Sequence, residues 1–166
     1  MEDIAIEILL DNRLYTIDSV ETEIRADRHC AQLLRHFHRW LLEQRREEPL
    51  WAGRLAAGAD YFLREFMIGR LRRNIFQAEA EHLRQFGGNW YIISNLEPNL
   101  PELEPMLAGS ALFYTYCAEQ GCFNPQTAAE IHATVEKKDF FHERIEQFHQ
   151  LQDDDYRAWD QACSIG

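Results

Sequence analysis

Apolar residues recur every three or four positions at Ala26, Cys30, Leu33, Phe37 and Leu41, with Leu34 and Trp40 flanking them. This is the stripe of a helix that buries one face. It predicts a long first helix up to Arg46, opened near Asp18 by a capping box of Asp18 and Glu21. Leu55, Ala59, Phe62 and Phe66, with Leu63 and Met67 beside them, repeat the stripe over 50–73. The short Glu47-Glu48-Pro49 link makes the two helices antiparallel neighbours. Pro101 opens a third helix carrying Leu103, Leu107, Phe113 or Tyr114, and Cys117, which Gly121 stops. Pro125 opens a fourth with Ala128, Ile131 and Val135.

Two stretches break the helical period. Residues 4–17 leave strand and helix both open, while Gly87-Gly88-Asn89 is a turn or helix-stop signal followed by the strand-like Trp90-Tyr91-Ile92-Ile93. If both are extended, they pair with each other. The expected fold is therefore mainly α, a bundle of four to six helices with a small irregular or two-stranded β insert near 86–96. A break or bend is expected at Lys137-Lys138, because the line that follows (Phe141, Ile145, Phe148, Tyr156, Trp159, Cys163) is a better core face than a continuation of Ile131 and Val135.

With 166 residues and 46% apolar content the chain can bury one core, so a single domain over 1–166 is expected. It has no apolar run of about 18 residues, and its first residues are acidic where a signal peptide is basic. Cys30, Cys117, Cys122 and Cys163 form no C-x-x-C pair. A cytoplasmic protein with reduced, mostly buried thiols and no membrane partner is the reading these features support.

The net charge of −11 is unevenly distributed: −6 over residues 1–24, +5 over 25–73, −1 over 74–96 and −9 over 97–166. Either the basic second quarter packs against the acidic last third, or it presents a positive face. For the second case the expected partner-binding residues are Arg35, Arg39 and Arg70, and the expected partner is an acidic protein or a phosphorylated ligand. The overall negative charge weighs against nucleic acid.

Three carboxylate-x-x-His matches stand out: Glu79/His82, Asp139/His142 and Glu146/His149. On a helix this spacing lets a carboxylate and an imidazole bind one metal. In that respect the two Glu-x-x-His pairs resemble the ferritin-like di-iron carboxylate bundles. The resemblance implies iron or another divalent metal held by Glu79, His82, His142, Glu146 and His149. Three matches only slightly exceed what seven histidines among 28 acids produce at random, which favours solvated His–carboxylate pairs. No nucleophile elbow, phosphate loop or dinucleotide fingerprint occurs. Cys117 and Cys122 straddle a helix stop, a spacing that suits neither a zinc knuckle nor a redox pair. The expected function is a non-catalytic helical interaction or regulatory module without a cofactor, with a helical metal-binding protein as the alternative.

Overall fold

A computed structural model describes residues 4–152 and 154–163 of the chain. Among these residues all regular structure is helical, and none of the helices is long and apolar enough to cross a membrane. A short α1 (Ile6–Leu9) and a 3-10 turn (Asn12–Tyr15) precede α2 (Val20–Glu43). The cap of α2 lies one residue later than the sequence pattern suggests. Ser19 Oγ accepts from Thr22 N at 3.1 Å, and Thr22 Oγ1 accepts from Ser19 N at 2.9 Å. The stripe from Ala26 to Leu41 is buried as expected.

Glu48 caps α3 (Pro49–Asp60) through Leu50 N and Trp51 N. From Tyr61 to Arg70 the same helix continues in π form, with Phe62, Leu63, Phe66, Met67 and Ile68 buried. The wider i→i+5 turn brings adjacent residues onto the core face together, and Phe62 and Phe66 both reach the ring of Phe86 at 5.2 and 5.5 Å. On its other side Arg64 grips Asp27 of α2 with two bonds of 2.9 and 3.0 Å and reaches Asp60 at 3.2 Å. The bidentate bond to Asp27 holds Arg64 firmly charged.

The expected β insert is helical. Following a 3-10 turn (Ile75–Gln77), α4 (Ala80–Gln85) runs into a π segment (Phe86–Trp90) and then α5 (Tyr91–Ser94), while the other strand candidate at 4–17 forms α1 and the first 3-10 turn. The glycine pair does not turn the chain. A Cβ on Gly87 would meet the Phe141 ring at 2.8 Å, and one on Gly88 would meet Phe140 and Cys163 at 3.1 Å. The pair is therefore a flat landing for aromatic rings within a continuous helix.

Asn99 caps α6 (Leu100–Glu119) through Glu102 N at 2.8 Å, and Asn124 caps α7 (Pro125–Val135). The chain breaks at Lys137, as expected, before α8 (Lys138–His149) and α9 (Tyr156–Gln161). Phe141, Ile145, Trp159 and Cys163 are buried, Phe148 is half-buried and Tyr156 is exposed. The apolar core runs from Leu9 to Trp159, with α6 at its centre between α3 and α7.

Candidate functional site

Helix α6 is apolar on nearly every side, which is the composition of a helix enclosed by others. α3 covers one flank and α7 the other. The flank against α3 is a backbone contact: a Cβ on Gly58 would sit 2.5 Å from Met106 Cα, and one on Gly109 would fall onto the Leu55 carbonyl oxygen. Between the two covering helices one stripe of α6 stays half-buried: Leu100, Glu104, Ala108, Leu112, Thr115 and Ala118. Steps of three and four residues place these side chains in a line, about 28 Å long from Leu100 to Glu119 at the α-helical rise.

This stripe is the floor of a groove made of two adjoining hollows of about 370 and 760 Å³, which share Arg45, Leu112, His132 and Glu136. Trp51 and Leu55 of α3 form one wall. The other is α7, whose Ala128, Ala129 and Ala133 are short enough to admit a backbone. The rim is charged and paired with itself. Arg45 lies 3.4 Å from Glu47, Lys138 is 3.7 Å from Glu104, and His132 Nε2 is 3.1 Å from Glu136. Glu119 closes one end, so the rim holds four carboxylates against two permanent cations.

The arginines singled out from the sequence are exposed but do not form one patch. Arg35 and Arg39 lie one turn apart on the outer face of α2. Arg70 ends the π segment, beside Arg72, which pairs with Glu23 at 3.5 Å in the first turn of α2. At 1.5 Å per residue that level is roughly 15–20 Å along α2 from Arg35. Arg64, Arg72 and Arg45 pair with Asp27, Asp60, Glu23 and Glu47, all within the first half of the chain.

The residues of the metal reading are likewise spread over separate elements. Glu79 precedes α4, and its backbone N–H donates to His82 Nδ1 at 2.9 Å, so that ring nitrogen serves as a helix cap. His142, Glu146 and His149 are exposed on α8, where His149 Nε2 lies 3.3 Å from the Pro98 carbonyl oxygen. Among the described residues no three His, Cys, Asp or Glu side chains come close enough to hold an ion together.

His82 instead reports on pH. Burial, followed by the nearby charge of Arg73, pulls its pKa below the ordinary value, and the neutral ring is the form that accepts the Glu79 N–H. The unfolded chain therefore binds more protons than the folded one below about pH 6.5, so this contribution is complete above that pH and is lost as the pH falls. The melting temperature of the wild type is expected to drop between pH 7 and 5 more than that of His82→Gln. Parallel curves for the two proteins would contradict this assignment.

Sequence reasoning missed the groove. The available signal was the all-round apolar character of α6, which requires covering elements but does not reveal which side lacks one. Compared with protein-family models, curated proteins and solved structures, the chain matches none.

Proposed function

We propose that this chain is a non-catalytic helical interaction module that holds an amphipathic helix of a partner protein along α6. The observation that supports the reading is the half-buried α6 stripe, flanked on both sides by helices and left without a third cover among the described residues. A length of about 28 Å corresponds to roughly 18 residues of helix. A helix seated in an apolar groove is a recurrent mode of peptide recognition, with anchors at i, i+3, i+4 and i+7. The alanines of α7 suit the approach of a second backbone. The excess of carboxylates on the rim favours a partner helix with Lys or Arg beside its apolar face.

The test uses a labelled 18-residue peptide with a Leu/Ala face and Lys flanks, compared with a version carrying Glu flanks and with a scrambled control. Fluorescence anisotropy is expected to show the Lys peptide binding at least 10-fold more tightly than either comparison. Ala108→Trp, which fills the floor of the groove, is expected to weaken binding at least 10-fold while leaving the melting temperature near that of the wild type. Arg35→Glu/Arg39→Glu on the outer face of α2 should leave it unchanged. Equal binding by Ala108→Trp and wild type, or no preference among the three peptides, would refute the groove as the docking surface.

A further inference from the structure

We infer that Cys117 and Cys122 form a reversible redox pair in which Cys122 is the thiol attacked by peroxide and Cys117 resolves it to a disulfide. This goes beyond the docking function and concerns a modification site at the end of α6. The two cysteines straddle a helix stop, a spacing that reads as inert along the sequence. The stop itself brings them together. Gly121 adopts the left-handed conformation with φ of 81°, Gly121 N donates to Ala118 O at 3.0 Å, and Cys122 N donates to Cys117 O at 3.1 Å. These two bonds define a Schellman motif, in which the residues now occupied by Cys117 and Cys122 ordinarily make an apolar contact with each other. The fold-back joins the two residues by a backbone hydrogen bond of 3.1 Å, the close approach that a disulfide, whose Cα atoms lie roughly 4.4–6.8 Å apart, requires. The Cys122 thiol already turns inward, donating to the Cys117 carbonyl oxygen at 3.3 Å.

The two thiols differ in the way such a pair requires. Cys117 is fully buried, and burial pushes its pKa well above the ordinary thiol value. Cys122 is half-buried and lines an open hollow of about 490 Å³ that also contains Arg73, Phe76 and Asn124. The neighbouring Cys117 thiol pulls the Cys122 pKa down against the effect of burial. Cys122 is thus both the more accessible thiol and the more readily ionised one.

The chemistry balances with hydrogen peroxide as the oxidant. The Cys122 thiolate attacks one peroxide oxygen, the O–O bond breaks, and the departing hydroxide takes up a proton to become water, leaving a sulfenic acid on Cys122. The Cys117 sulfur then attacks the Cys122 sulfur. The S–O bond breaks, the hydroxyl leaves as water with the proton given up by Cys117, and the S–S bond forms. Two thiols and one peroxide yield one disulfide and two waters.

The test treats the reduced full chain with one equivalent of hydrogen peroxide and follows intact mass and thiol alkylation. The expected result is loss of the mass of two hydrogens, reversed by dithiothreitol, with Cys30 and Cys163 still alkylated. Cleavage after Glu119, which lies between the two cysteines, should give fragments that stay joined until reduced. Cys122→Ser should keep its remaining thiols free under the same treatment, and Cys117→Ser should trap a dimedone adduct on Cys122. Retention of four alkylatable thiols in the wild type, or a crosslink between any other pair, would overturn the inference.

Discussion

Gly109→Ala is expected to lower the stability of the fold by about 3 kcal/mol, at the upper end of the usual cost of overpacking a core. The added methyl would fall onto the Leu55 carbonyl oxygen and come within 2.8 Å of its carbon. Both obstacles are backbone atoms, so no rotamer change relieves the clash and α6 must move away from α3. Gly58→Ala meets Met106 Cα at 2.5 Å and the Pro105 carbonyl oxygen at 2.8 Å, and is expected to cost a similar amount. For a chain of this size the loss corresponds to a melting temperature roughly 6–12 °C lower. Gly53→Ala is the matched control. It lies within α3 with nothing within 4 Å of its added Cβ, so it should gain up to about 1 kcal/mol from helix propensity alone. Wild-type melting of Gly109→Ala would mean that the two helices do not touch through their backbones.

Arg144→Ala is expected to cost about 2–4 kcal/mol, measured by urea unfolding, as the sum of a lost charged hydrogen bond, a lost stacking contact and a cavity. Arg144 is only 5% exposed. Its Nε donates to the Gly88 carbonyl oxygen at 2.8 Å, and its guanidinium lies 4.1 Å from the centre of the Trp159 ring. Burial pulls its pKa below the ordinary value, and among the described residues Nη2 is enclosed without a hydrogen-bond partner, so the arrangement already contains an opposing cost. Arg144→Met keeps an unbranched stem against Trp159 and removes that cost, so it should lose less than half as much as the alanine variant. Equal losses in the two variants would show that the stem contributes nothing and that the bond to Gly88 carries the whole effect.

Helices bounded by side-chain caps and prolines were legible from the sequence. Pro49, Pro101 and Pro125 lie in the first turns of α3, α6 and α7, and the core stripe of α2 is the buried one. The stretch 86–94 was misread because Gly-Gly and Trp-Tyr-Ile-Ile carry turn and strand composition, whereas the glycines answer to the rings of Phe140 and Phe141 some 50 residues later in the chain. The π segment was hidden because Leu55, Ala59, Phe62 and Phe66 keep a helical spacing, and its wider turn arises with the packing of Phe62 and Phe66 against Phe86. The metal reading grouped residues by local spacing; the bond from the Glu79 N–H to His82 Nδ1 is equally local and uses the ring as a cap, whereas whether His82 meets His142, Glu146 and His149 is decided by tertiary packing, which brings no three such ligands together among the described residues. The groove depends on what fails to cover Ala108 and Leu112, and no local pattern encodes an absent neighbour.

The glycine seam between α3 and α6 also bears on how the chain reaches its native state. The α2–α3 and α6–α7 pairs are each joined by short links, so their contacts form between near neighbours at little loop-closure cost. Gly58 and Gly109 are roughly 50 residues apart, and their contact can form only after the intervening chain has closed. Folding is therefore expected to proceed through two fast, local hairpin steps and one slower encounter between them. Because its fit is backbone against backbone, a nearly docked pair gains little until the last ångström, so this contact is expected to be among the last to form.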